Sequence, residues 1–181
     1  MLLQFNDICA NGAICHARAY EPRITDMSDE CRSDFVDLLV GLDRASRCSR
    51  FGFSANDAML AKHAGTAIER ASKVIGIYTH NRLRGVLEAY PCPNEGPTEI
   101  AVVVDQHWRR QGLGTALIHS AQQWASSQQL KLLRLIFSRA NWPMRHLAHK
   151  LNARLDVLLD ELCADIIVGS PRERWNTITY T

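Results

Sequence analysis

The sequence feature that most constrains the fold is the segment Glu99–Gly114, EIAVVVDQHWRRQGLG. Residues 100–104 form an apolar run rich in β-branched side chains, which is typical of a strand buried on both faces. Two arginines and a pair of glycines follow. From Leu113 to Trp124, apolar residues recur mostly three or four positions apart, which predicts a helix with one apolar face. The segment therefore predicts a buried strand, a tight basic loop and a helix in direct succession.

The loop between this strand and helix has the properties of an anion site. Gly112 and Gly114 lack a Cβ, so the backbone there can approach a ligand closely. The first turn of a helix has N–H groups without intrahelical partners and about half a positive charge from the helix dipole, and phosphates bind at that end. The loop is not a P-loop, and Leu117 stands where the third glycine of a dinucleotide fingerprint would be. The pattern predicts a pyrophosphate pocket, and the alternative is an ordinary turn with a solvated basic pair.

Three stretches of the chain resemble the GNAT superfamily of N-acetyltransferases. Arg109-x-x-Gly112-x-Gly114 is similar to the family's acyl-CoA loop, Arg/Gln-x-x-Gly-x-Gly/Ala. Residues 141–151 resemble its later helix, which an Asn begins, and residues 74–88 resemble its central hairpin of strands. Arg47-x-x-Arg50-Phe51, with EIAVVV and the Trp before the loop, looks closest to the acetyltransferase domain of bacterial protein-lysine acetyltransferases. The resemblance covers about residues 17–168.

The resemblance implies acetyl-CoA as cosubstrate and a binding site for it. Two central parallel strands splay apart in the family, and the pantetheine arm lies in the gap and pairs with exposed backbone. Here Val102, Val103 and Val104 would supply that backbone. The pyrophosphate would be held by Arg109, Arg110, Gln111, Gly112, Leu113, Gly114 and Thr115. Asn141 would fix either the backbone or the cofactor.

Catalysis by such a protein requires a base. A lysine-like amine has a pKa near 10.4, so only about one molecule in a thousand is uncharged near neutral pH. A general base is typically worth about 10²–10⁴-fold in rate. Glu99 is the candidate, because the resemblance places the base of histone-type relatives at this point of the strand, and partial burial would raise its pKa. Glu88, on the preceding strand, is the second candidate. The alternatives are a solvated strand-end carboxylate for Glu99 and an outward-facing strand residue for Glu88.

The chain departs from the family pattern in two places, and one of them is Asn152-Ala153, where the family usually has Gly-Phe after Lys-Leu. The other is the position of the general acid. Many members have a Tyr on the Asn-led helix that protonates the departing thiolate, and the aligned residue here is Ala148. A thiol pKa near 8.5 makes thiolate a fair leaving group without that acid. Ser138, His146 and His149 are the nearby alternatives for the general acid.

The sequence leaves three functional classes open: a direct-transfer N-acetyltransferase, an acyl-CoA sensor without turnover, and an interaction protein on the same fold. Within the enzyme class, protein lysine and small-molecule amines both stay open as acceptors.

Strands joined partly by hairpins and partly by helices predict an α/β fold, a mixed sheet of six to seven strands with helices on both faces. The periodicity predicts helices over residues 28–43 and from Ser54, within a capping box Ser54-x-x-Asp57, to Ser72. The predicted strands besides residues 99–104 are Ala17–Ile24, Val74–His80, Leu83–Tyr90, Lys131–Ser138, Arg154–Leu159 and Cys163–Gly169.

Length and composition limit the remaining possibilities. A chain of 181 residues is most simply one domain, with residues 1–14 as an extension and residues 171–181 as a tail. The net charge of +2 gives no reason to expect nucleic acid or a membrane as partner. The six cysteines are scattered, which favours reduced thiols and a cytoplasmic location over disulfides. No metal site is expected, since only His146 and His149 have a ligand-like spacing. Relatives often dimerise, so a homodimer is compatible with the resemblance.

Overall fold

A computed structural model describes residues 22–92 and 96–169, which form one seven-stranded sheet with helices on both faces. The strands are β1 (Arg23–Asp26), β2 (Lys73–Thr79), β3 (Arg82–Tyr90), β4 (Thr98–Val104), β5 (Leu132–Ser138), β6 (Arg154–Leu158) and β7 (Glu161–Ile167). Their order is β1-β2-β3-β4-β5-β7-β6. Among the seven described strands, β4 and β5 are the only neighbours that pair in parallel, and the other neighbours are antiparallel. The predicted mixed sheet is confirmed.

Five α-helices lie among the described residues: α1 (Arg32–Val40), α2 (Arg44–Phe51), α3 (Asp57–Arg70), α4 (Leu113–Ser127) and α5 (Trp142–Lys150). The single helix predicted over residues 28–43 is shorter, because a 3-10 turn precedes α1 and the helix ends at Val40. The sequence did not predict α2. Asp43 begins it by accepting a 2.7 Å hydrogen bond from the Ser46 N–H, and Gly52 ends it with a φ of 78°.

The predicted start of α3 is also corrected. Asn56, not Ser54, is its N-cap, since the Asn56 side chain accepts a 3.0 Å hydrogen bond from the Met59 N–H. Asp57 does not complete a capping box and instead pairs with Arg47 at 2.8 Å. Asn and Ser are about equally good N-cap residues, so the position of the cap follows the backbone, which is still extended at Asn56 and becomes helical at Asp57.

Two hydrophobic clusters pack on opposite faces of the sheet. The first joins α4 and α5 to the sheet and includes Leu117, Leu133 and Ala148. The second joins α1 and α3 to β2, β3 and β4. Successive side chains of a strand point to opposite faces, so Ile100 lies in the first cluster and Val103 in the second. The continuous apolar run of β4 follows from this burial on both sides.

The parallel strands β4 and β5 separate soon after they meet. Their pairing consists of Thr98 with Leu133 and Glu99 with Arg134, and beyond these residues no β4–β5 pair is present. The splayed parallel strands that the resemblance implied are therefore found.

The hydrogen bonds between β3 and β4 show which backbone groups of β4 face the gap. The Asp105 N–H donates to Arg84 O on β3 at 2.8 Å. Because backbone groups alternate in direction along an antiparallel strand, those of Val102 and Val104 face the gap, whereas those of Val103 face β3.

The closing hairpin predicted near residues 154–169 is present as β6 and β7. The strand predicted over residues 17–24 lies largely outside the described residues, and its visible part is β1, which continues to Asp26. The predicted N-terminal extension and C-terminal tail lie outside them as well. In the stretches 22–92 and 96–169, every helix is too short or too polar to cross a membrane.

Candidate active site

The loop between β4 and α4 has the backbone geometry of an anion site. Gly112 is the N-cap of α4 with a φ of 86°, a conformation that favours glycine, and as a glycine it offers no side chain to cap the helix. A Cβ at Gly112 would meet no atom within 4 Å, so the need for glycine is conformational. At Gly114, a Cβ would lie 3.4 Å from Leu147 Cδ2, which is ordinary contact. The first-turn N–H groups of α4 are thus left without a capping side chain, as a phosphate site requires.

The side chains of this loop divide between solvent and core. Arg109, Arg110 and Gln111 are exposed, and Thr115 is partly exposed. Leu113 is only 4% exposed and packs in the first hydrophobic cluster, so only its backbone is available to a ligand. The Arg109 guanidinium donates to Val104 O at 3.2 Å and to Ser46 Oγ at 2.7 Å. Its charge therefore lies between the end of β4 and helix α2.

Asn141 is engaged with backbone and with α2. Its Oδ1 accepts a 3.2 Å hydrogen bond from the Met144 N–H and caps α5, and its Nδ2 donates to Ser49 Oγ at 2.7 Å. The sequence left open whether this residue fixes the backbone or the cofactor. The capping contact is the first of these roles, and a contact with cofactor stays a prediction.

Glu99 lies where β4 and β5 begin to separate. It is paired with Tyr90 on β3 and with Arg134 on β5, so the three side chains share one face of the sheet. The Glu99 side chain is exposed, and the partial burial expected from the sequence is wrong. The Arg134 guanidinium is paired with Asp165, to which it donates two hydrogen bonds of 2.6 and 2.7 Å. Glu99 is therefore a solvent-accessible carboxylate at the foot of the gap.

Glu88 is fully buried, so the expectation of an outward-facing strand residue is wrong. Its carboxylate accepts hydrogen bonds from Arg50 Nη2 at 2.7 Å and from Tyr90 OH at 2.6 Å, and it lies 2.9 Å from His63 Nε2. Burial alone would raise the pKa of Glu88, but the Arg50 charge and the His63 and Tyr90 hydrogen bonds outweigh it and hold the pKa at about 2. A carboxylate this acidic is a poor proton acceptor at neutral pH.

The sequence did not single out His63, Tyr90 or the serines of α2 as parts of this region. Burial and the neighbouring Glu88 charge raise the pKa of the Tyr90 phenol, which donates its proton to that carboxylate. His63 packs edge-on against Phe35 and Phe51. Four-residue spacing on a helix would have placed Ser46 and Arg50 on one face, but α2 itself was not predicted.

The residue that the sequence resemblance aligns with the family's general acid lies in the core. Ala148 is fully buried in the first hydrophobic cluster. The alternatives, Ser138, His146 and His149, are all exposed. Among residues 22–92 and 96–169, no group of three or more His, Cys, Asp or Glu side chains is arranged to hold a metal ion.

Parallel strands that splay apart and a glycine loop before a helix start are the arrangement that the sequence resemblance to N-acetyltransferases implied. The profile of the Acetyltransferase (GNAT) family matches residues 42–153, and the chain belongs to this family. No curated protein sequence matches the chain significantly.

Solved structures with the same fold are distant in sequence. The GNAT domain of S. lividans PAT has a TM-score of 0.73 at 11% identity, over 81% of this chain and 90% of that one. The PaiA N-acetyltransferase of Thermoplasma acidophilum, solved with coenzyme A, has a TM-score of 0.63 at 12% identity, over 81% and 98%. An aminoglycoside 6'-N-acetyltransferase, also with coenzyme A, has a TM-score of 0.64 at 14% identity, over 82% and 98%.

Proposed function

We propose that this protein is an acetyl-CoA-dependent N-acetyltransferase that transfers the acetyl group directly to a primary amine. The observation that carries the proposal is the position of Glu99, an exposed carboxylate at the foot of the gap between β4 and β5. The uncapped start of α4 follows the other end of β4. An acyl-CoA held by the loop and the gap would present its thioester near this carboxylate.

In the proposed reaction, Glu99 accepts a proton from the acceptor ammonium, directly or through water. The neutral amine then attacks the thioester carbonyl, a C–N bond forms, and the C–S bond breaks as the thiolate leaves. The attacking nitrogen releases its remaining extra proton to water, which gives the neutral amide. The backbone groups of Val102 and Val104 orient the acyl arm in the gap, and Gly112 and Gly114 with their neighbours hold the pyrophosphate. Because Ala148 supplies no proton, the sulfur leaves as thiolate or is protonated by solvent.

The buried Ala148 also supports a second candidate, an acyl-CoA sensor that binds without turnover. The exposed Glu99 favours the enzyme, since a sensor has no need of an accessible carboxylate at this point. The acceptor stays open between protein lysine and small-molecule amines. A cytoplasmic location, a single domain over residues 1–181 and a homodimer likewise remain proposals.

The deciding experiment incubates the purified protein with acetyl-CoA and a panel of lysine peptides, polyamines, aminoglycosides and amino acids. Products are detected by mass spectrometry, because protein thiols would interfere with a thiol-colour assay. One acetylated class of acceptor would establish the enzyme and name its substrate. Binding of acetyl-CoA without any acetylated product across the panel would favour the sensor instead.

A further inference from the structure

Helix α2 carries three polar side chains on one face, and each bonds a different part of the candidate site. Ser46, Ser49 and Arg50 are spaced three and four residues apart, which places them together on the helix surface. Ser46 Oγ accepts from Arg109 in the loop, Ser49 Oγ accepts from the N-cap of α5, and Arg50 donates to Glu88 on β3, each at 2.7 Å. One helix face therefore connects the loop, the start of α5 and the buried carboxylate.

The same helix lies across the point where the sheet opens. It contacts both β4 and β5, the two strands that diverge. Arg47 fixes its flanks by donating to Val40 O and Leu42 O at 2.6 and 3.0 Å and to Ala55 O at 3.1 Å. The orientation of α2 over the gap is thus set by its side-chain contacts with the sheet, the loop and α5.

These contacts differ in how easily they break. Arg50 and Glu88 have side chains only 16% and 1% exposed, so breaking their ion pair would leave a buried charge and is costly. Arg109 is an exposed side chain on the loop, so its guanidinium can exchange the bond to Ser46 for water, although Ser46 itself is only 5% exposed. α2 therefore has a fixed attachment at Glu88 and a labile one at the loop.

We propose that Arg109 is a positioning residue that acts on α2 through its hydrogen bond to Ser46. Through this bond, binding of a ligand at the loop orders α2, the helix on the side of the sheet where Glu99 lies. The inference rests on the proposed function only in placing acetyl-CoA at the loop. A ligand that orders the loop strengthens the Arg109–Ser46 bond, and that bond orders α2. By linkage, an ordered α2 strengthens binding at the loop by the same factor.

The test is amide hydrogen exchange of residues 44–51, measured by mass spectrometry with and without saturating acetyl-CoA. In the unsubstituted protein, acetyl-CoA should slow exchange in α2 about two- to tenfold, the range that one hydrogen bond supplies. In Ser46→Ala, this slowing should be lost although the loop itself still becomes protected. Ser49→Ala is the matched control, because it makes the same change one turn away and leaves the Arg109 contact intact, so it should keep the slowing.

Calorimetric titration of the same samples with acetyl-CoA distinguishes a failure of the proposed function from a failure of the proposed coupling between the loop and α2. If acetyl-CoA produces no binding heat with the unsubstituted protein, the proposed function fails, and the coupling with it. If acetyl-CoA binds but α2 is slowed equally in Ser46→Ala, or not slowed in the unsubstituted protein, only the coupling is overturned. Loss of the effect in both serine variants would also overturn it, since the loop contact would then have no special role.

Discussion

Arg50 of α2 donates a 2.7 Å hydrogen bond to Glu88 of β3, a carboxylate whose side chain is 1% exposed. Truncating Arg50 would leave a buried charge without its counter-ion, so Arg50→Ala should lower the free energy of unfolding by about 3–5 kcal/mol. Chemical denaturation near neutral pH measures this change. Arg32→Ala is the control, because Arg32 pairs with Asp29 and Glu69 at the surface and its removal should change stability little. Equal effects of the two substitutions would contradict the role given to Glu88.

The ionised state of Glu88 also makes stability depend on acid pH. Its pKa is about 2 in the folded protein against an ordinary 4.5. At pH values between these two pKa values, the unfolded chain binds more protons than the folded protein. The contribution of Glu88 to the free energy of unfolding is therefore complete above pH 4.5 and is lost as the pH falls toward the pKa of the folded protein. Urea denaturation at a series of acid pH values should show a shallower loss of stability in Glu88→Gln. Parallel curves would mean that Glu88 is not the titrating group.

The two loop glycines should respond differently to alanine. Gly112→Ala places a Cβ on a residue with a φ of 86°, which should cost about 1–2 kcal/mol and weaken acetyl-CoA binding by distorting the loop. Gly114→Ala fills space at ordinary contact distance within α4 and should be neutral or stabilise by up to about 1 kcal/mol. Thermal unfolding and calorimetric titration with acetyl-CoA measure both effects. If Gly114→Ala is destabilised and Gly112→Ala is unaffected, Gly114 and not Gly112 is the position whose conformation requires glycine.

Asn141 has two separable contacts. Asn141→Asp keeps an oxygen to cap α5 but loses the N–H that reaches Ser49, whereas Asn141→Ala loses both. The alanine variant should be less stable than the aspartate variant by about 1 kcal/mol, the usual worth of an N-cap. Comparing their unfolding midpoints tests this. If the two variants are equally destabilised, the bond to Ser49 is the dominant contact.

Glu99→Gln should separate binding from turnover once an acceptor is known. Loss of a general base should lower kcat near neutral pH by about 10²–10⁴-fold, with acetyl-CoA affinity nearly unchanged. The deficit should shrink at high pH, where the amine loses its proton to solvent. Glu161→Gln, at another exposed carboxylate, is the control and should retain activity. Unchanged turnover at every pH would leave proton removal to water.

The sequence predicted β4, the glycine loop and α4 because their signals are local. An apolar β-branched run, two glycines and a helical repeat occur within about a dozen residues of one another, and each has a direct structural meaning. The divergence of β4 from β5 could be anticipated only through the family resemblance, since no local pattern specifies where a parallel pair ends.

Helix α2 could not be predicted in the same way, because polar contacts with distant residues hold it in place. Its sequence, Arg-Ala-Ser-Arg-Cys-Ser-Arg-Phe, has no continuous apolar stripe. Its partners Glu88, Arg109 and Asn141 are 38, 63 and 92 residues from the side chains they bond. Glu88 was misjudged for the same reason, since a buried acid is tolerated only when the fold brings such partners to it.

The divergence of β4 and β5 also affects the tendency of the protein to self-associate. A seven-stranded sheet has two edges, but strands that separate inside it create two more, and an open strand edge is a template for pairing with another chain. Natural proteins cover such edges with a helix, and α2 contacts both of these strands. Substitutions that detach α2 should therefore expose these inner edges and raise self-association of the protein.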